Sequence, residues 1–236
     1  MKGCTLIYHG ASFHFNPLFE MKIQNIFAAI AIIASPLLAQ AASPELRNGD
    51  LLFQANEGSF ADAITDASAR NVSLSFSHVA IVEVAGDSVF VIDAAPKNGV
   101  SKSSLADFLK GSAHNSVGEP LVTVGRIADR SIADRAVKLA ESFIGQPYDF
   151  SFLPDNDAMY CSELVYECYV DANGKHIFKS APMTFKNIYG RIADFWIELF
   201  KKRNEPIPEG VEGTSPNDMA RDPAITPVGQ FFESAH

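Results

Sequence analysis

Beyond residue 45 the chain falls into short apolar runs separated by turn signals. LRNGDLLFQ, 46–54, reads as a turn followed by a short buried strand. SFADAITDASAR, 59–70, has helical spacing and opens on Ser59. SHVAIVE (77–83) and SVFVIDAA (88–95) are β-branched runs on either side of Gly86-Asp87, which is a hairpin signal. Residues 103–109 predict a short helix capped by Ser103 or Ser104, and LVTVGRI, 121–127, predicts a further strand. SIADRAVKLAESFI, 131–144, is an amphipathic helix ended by Gly145, followed by a loop over 146–160 with Pro147 and Pro154. CSELVYECYV, 161–170, predicts a helix, and a second helical region covers about 186–203. The Pro- and Gly-rich tail from Glu205 is expected to wrap the surface, and no internal repeat is found. Strands joined by hairpins and interspersed with helices define an α+β class with a mostly antiparallel sheet.

The first forty residues follow a different pattern. From Met21, Lys22 supplies a positive start, Ile26 to Leu38 form an apolar stretch broken late by Pro36, and Ala39-Gln40-Ala41 fits a small-x-small cleavage site. This predicts a secretory signal peptide, with Met21 rather than Met1 as the expected start. The apolar run is too short to serve as a comfortable membrane span, and no Cys follows the cleavage site to carry a lipid. The expected organisation is therefore an extension and signal over 1–41 and one exported domain over 42–236, without an integral membrane segment once the signal is removed.

Composition adds two constraints. A chain of 236 residues that is 47% hydrophobic builds one substantial core rather than two. A net charge of -9 without a Lys/Arg cluster disfavours nucleic acid, whose phosphates would repel it.

After signal removal the cysteines are Cys161 and Cys168. Seven residues along one helix rise about 10 Å, more than a disulfide spans, so both thiols are expected to be free. Cys161 stands where a loop becomes a helix; there the partial positive charge favours thiolate and unpaired N–H groups can hold an oxyanion. By residue type alone it serves equally as a nucleophile or as a small buried side chain. Cys168, in the helix body, reads as structural. His78 lies on a strand that can hold it rigid, although a lone histidine is more commonly a packed core or surface residue. With Ala85-Gly86 as the hairpin turn, Asp93 faces His78; with Gly86-Asp87 as the turn, Asp93 is diagonal to it. Both registers put the carboxylate within reach of the imidazole, while Glu83 points to the other face. The histidines and cysteines show no metal-ligand spacing, and no phosphate loop or G-x-S-x-G elbow occurs.

The order LRNGDLLFQ, FSHVAIV, FVIDAAPKNGV, IGQPYDF, YCSELVYECY, IPEGVEGTSPNDMARDP resembles the YiiX/YaeF-type permuted papain-like enzymes of the NlpC/P60 superfamily, from about Leu46 to Pro223. His78 precedes Cys161, which is the permuted order. The resemblance implies a papain-like fold, a nucleophile at Cys161, a base at His78 and a third polar residue at Asp93. It also suggests that Tyr148 of IGQPYDF lines the site or holds the substrate carbonyl, although the usual following Gly pair is missing here. The implied activity is cysteine hydrolysis of an amide bond without metal or cofactor. Taken with export, it points to a peptide or acyl-amide substrate derived from the cell wall. The alternatives are a lipid acyltransferase or thioesterase of the same permuted fold and a non-catalytic wall-binding module.

Overall fold

The apolar runs pair as their alternation requires. The computed structural model describes residues 43–68 and 75–233. In chain order it contains β1 (Leu51–Gln54), α1 (Ser59–Ser68), β2 (His78–Ala85), β3 (Ser88–Ala95), β4 (Gly99–Ser104), α2 (Leu105–Lys110) and β5 (Val122–Ile127). There follow α3 (Arg130–Ser142), α4 (Cys161–Cys168), β6 (Ala181–Pro182), α5 (Asp194–Arg203), β7 (Glu212–Gly213), α6 (Pro216–Ala220) and β8 (Ile225–Gln230). Six strands make one antiparallel sheet in the order β4-β3-β2-β1-β5-β8, and β6 pairs with β7 apart from it.

Ile81 faces Ile92 and Ala85 faces Ser88, so the hairpin turn is Gly86-Asp87, with Gly86 at a φ of 60° that suits a residue without Cβ. Continuing that register sets Asp93 across from Ala80 and diagonal to His78. The central strands are buried on both faces. Val79, Ile81, Ile92 and Ala94 pack with Ala136 and Ala140 of α3 and Leu164 and Val165 of α4. Leu52, Ala80, Val82, Val91 and Val124 pack with Phe108 of α2 on the other side. With apolar side chains wanted on both faces, β2 reads as a near-continuous apolar run.

Several expectations need correction. The helical region over 186–203 is helical only from Asp194: Asn187 Oδ1 accepts the N–H groups of Tyr189 and Arg191, both at 3.0 Å, and closes a turn that Gly190 completes at a φ of 75°. The tail does more than wrap the surface, since Ile225–Gln230 adds the edge strand β8 beside β5. Pro227 is tolerated there because an edge strand has one unpaired side. Strand β4 was not anticipated; its Ser-rich sequence lacks an apolar period, and its last residue, Ser104, caps α2 by accepting from Asp107 N–H at 3.1 Å. Helix α4 stops at Cys168, two residues early. The expected signal peptide, its cleavage site and the last two residues of the 59–70 helix lie outside the described residues. Among the described residues no helix is long and apolar enough to cross a membrane.

Candidate active site

His78 begins β2, and its cross-strand partner is Gln54 of β1. Gln54 is buried and donates to the Phe108 carbonyl at 2.9 Å, which ties β1 to α2. The Phe108 ring lies 6.0 Å from the imidazole. Asp93 approaches from the neighbouring strand. Its Oδ2 is 2.7 Å from His78 Nε2, with the two residues only 9% and 7% exposed. The hairpin thus delivers a buried, carboxylate-anchored imidazole from local sequence alone.

The thiol arrives from the long loop after α3. Asp149 turns that loop by accepting from Ser151 and Leu153 N–H, at 2.7 and 3.0 Å. Met159 N–H donates to the Pro147 carbonyl, and Asp149 N–H to the Met159 carbonyl, so the two arms of the loop zip together just before α4. Tyr160 is the N-cap, and Glu163 Oε2 accepts its N–H at 3.3 Å. Cys161 is the first helical residue and is 3% exposed. The N–H groups of a helix's first turn have no partner within the helix, and here that turn begins at Cys161 itself. Cys161 also lines a cavity of about 320 Å³.

Electrostatics couple the three groups. Burial pulls the His78 imidazolium down, but hydrogen bonding to Asp93 and Cys161, and their charges, outweigh it and hold the ring up to about 10. Cys168 lies fully buried at the far end of α4, and burial pushes its thiol up, out of reactive range. Both cysteines are free, as their spacing requires. Burial lifts the Glu163 carboxyl to about 8, and nearby acids add to the effect.

Tyr148 lines the same cavity, packs against Phe150 at 4.9 Å, and has its hydroxyl pushed up by burial. No described residue hydrogen-bonds that hydroxyl. Glu83 pairs with Lys102, away from the imidazole, as the strand parity predicts. His176 stacks on Tyr166 at 3.9 Å, and His114 pairs its backbone with Pro120; neither joins the site. Sequence reasoning gave no role to Met183, Phe185, Trp196 and Thr214, all of which line the cavity. It also gave none to buried Asn217, whose side chain bonds both the N–H and carbonyl of Phe76 and the Ser68 hydroxyl. Thr214 and Asn217 lie in the segment IPEGVEGTSPNDM, which has no periodicity to interpret, while Trp196 lies in the predicted helical region and Met183 and Phe185 before it, with nothing in the sequence to bring them together.

A histidine strand preceding a cysteine helix is an order that comparison with known proteins can test. The family described as "Permuted papain-like amidase enzyme, YaeF/YiiX, C92 family" matches residues 45–229. The uncharacterized protein YiiX of Escherichia coli strain K12 is 25% identical over 187 residues, covering 78% of this chain and 86% of YiiX. A solved structure, titled the crystal structure of metalloprotein yiiX from Escherichia coli O157:H7, superposes with a TM-score of 0.62 at 23% identity, covering 78% of this chain and 97% of that one. That likeness carries the fold, and the match of the family over residues 45–229, which include the hairpin and α4 of the site, carries the membership: this chain belongs to the permuted papain-like amidases of the YaeF/YiiX, C92 family.

Proposed function

We propose that this protein hydrolyses an amide bond with Cys161 as nucleophile, His78 as base and then acid, and Asp93 as the residue that positions His78. The observation that carries the reading is the 2.7 Å bond between His78 Nε2 and Asp93, on a ring that also interacts with Cys161. With Nε2–H donated to the carboxylate, Nδ1 is left for the thiol proton. The thiolate attacks the carbonyl carbon, and the oxyanion is met by the free N–H groups at the start of α4. The C–N bond breaks as His78 returns its proton to the leaving amine. Water, deprotonated by His78, then cleaves the thioester to give a carboxylic acid and the free thiol. Tyr148 sits in the cavity wall, where its unpaired hydroxyl suits a substrate carbonyl.

We further propose that the protein is exported, on the pattern of residues 21–41, which brings cell-wall amides within its reach. Acyl transfer is the alternative outcome of the same thioester, with an alcohol or amine taking the place of water. No group of three or more His, Cys, Asp or Glu side chains able to hold a metal lies among the described residues. The test is selective labelling. Iodoacetamide should modify Cys161 far faster than Cys168, and Cys161→Ala should abolish release of amine from simple acyl amides. Equal labelling of the two thiols, or amine release that survives Cys161→Ala, would sink the reading.

A further inference from the structure

His78 and Cys161 each stand at the first residue of an element, where that element's own bonds hold them least. The ladder from β2 to β3 reaches only Ile81, three residues short of His78, and the pairing of His78 with Gln54 is the last on the β1 side. The backbone two residues before His78 is held instead by one amide. Asn217 Oδ1 accepts the Phe76 N–H at 2.8 Å, and its Nδ2 donates to the Phe76 carbonyl at 2.9 Å. Nδ2 also donates to the Ser68 hydroxyl at 2.8 Å, and the hydroxyl passes its own proton to the Ile64 carbonyl. Asn217 is only 2% exposed, so these bonds face no competition from water.

On the other side, Tyr160 precedes Cys161, and its hydroxyl accepts the Thr214 N–H at 3.2 Å. Gly213 leaves room for that contact, since a Cβ there would stand 2.8 Å from the hydroxyl oxygen. The chain between Thr214 and Asn217 is stiff. Ser215 caps α6 by accepting from Asp218 N–H at 3.1 Å, and Pro216 fixes the first helical φ. Pairing of Gly213 with Ala181 anchors the segment from behind. One rigid stretch thus holds the residue before the nucleophile and the residue two before the base. We infer that Asn217 is a positioning residue: through Phe76, and with Thr214 holding Tyr160 in the same segment, it sets the separation between the His78 imidazole and the Cys161 sulfur. The inference rests on the Cys161–His78 pairing proposed above. Asp93 and Cys161 are the groups that act on the imidazole. The hairpin sets the first distance by itself, and the second depends on how the two element ends are braced.

The test reads the His78 midpoint by imidazole NMR and the rate at which iodoacetamide labels Cys161. Cys161→Ala should lower the midpoint from its position near 10, because the thiol helps hold it up. Asn217→Ala and Tyr160→Phe should each lower it by about one unit. They should also slow labelling by about tenfold to a hundredfold, the loss that a ~1 Å misplacement brings to a reacting pair. In a Cys161→Ala background, Asn217→Ala should shift the midpoint no further, since Asp93 is held by the hairpin. Tyr169→Phe, which removes a buried 2.8 Å bond to the Gly49 carbonyl, is the stability control and should melt lower with both readouts intact. Asn217→Ala that melts lower yet keeps the wild-type midpoint and labelling rate overturns the inference. So does an equal fall of the midpoint in the Cys161→Ala background. If Asn217→Ala does not fold, Tyr160→Phe and Gly213→Ala, which crowds the same hydroxyl, decide by the same two readouts. A His78 midpoint unmoved by Cys161→Ala, together with equal labelling of Cys161 and Cys168, is a different result: it refutes the pairing itself and the brace with it.

Discussion

Replacing Asp93 by Asn separates its charge from its position. The amide oxygen can accept the same bond from His78 Nε2–H, so the ring stays in place, but the negative charge is gone. The two side chains are only 9% and 12% exposed, so water does little to screen what is lost. A hydrogen bond to a charged partner contributes about 1.5–3 kcal/mol, and at about 1.4 kcal/mol per pH unit the His78 midpoint should fall by about one to two units from its wild-type position near 10. The assay is an NMR titration of ¹⁵N-labelled imidazoles, with the His78 resonance identified by its loss in His78→Ala. Turnover should show the same shift, because the leaving amine needs the imidazolium and activity falls as pH rises through that midpoint. Because the folded value exceeds the ordinary 6.5, the imidazolium contributes stability that is fully present below pH 6.5 and is lost as pH rises through about 10; in Asp93→Asn that loss should come earlier. Asp93→Ala should depress turnover further, since the ring also loses its anchor. A His78 midpoint that is the same in wild type and Asp93→Asn would refute the reasoning.

Glu163 gives a second pH test of opposite character. Burial favours its neutral form up to about pH 8, so ionisation opposes folding and wild-type stability falls as pH rises from about 4.5 to 8; the melting temperature of Glu163→Gln, which keeps an acceptor for Tyr160 N–H, should gain on wild type over that interval. Tyr169→Phe removes a buried 2.8 Å bond to the Gly49 carbonyl and should cost about 1–3 kcal/mol in urea unfolding while leaving the Cys161 labelling rate unchanged. Glu83→Ala should leave turnover unchanged and cost at most about 1 kcal/mol of stability, because its partner is Lys102 and not the imidazole.

The hairpin half of the site was legible in the sequence because a strand has a strict period of two. Parity alone places Asp93 with His78 and turns Glu83 away, whichever of the two turns forms, and the register from Gly86-Asp87 then sets the pair diagonally. The start of α4 was legible for a similar reason, since a Pro-containing loop running into an apolar helical period marks an N-terminus. The 186–192 turn was misread because Ile188 and Tyr189 satisfy a helical period while Asn187 and Gly190 favour a turn, and the local side-chain bonds prevailed. The cavity was invisible at that stage. Its walls come from α1, the loop around Phe152, Met183 to Phe185, α5 and the segment before α6, and no periodicity links segments so far apart.

The division of the site between a hairpin and a distant helix has a consequence for how the protein is made. His78 and Asp93 are fifteen residues apart and joined by a two-residue turn, so their pairing costs little loop-closure entropy and can form early in folding. Cys161 joins them only after β4, α2, β5, α3 and the Asp149 loop have been laid down and α4 has docked on the sheet. Until then the thiol has no imidazolium beside it and behaves as an ordinary cysteine. On the proposed mechanism, the enhanced reactivity of Cys161 therefore appears only together with the tertiary structure.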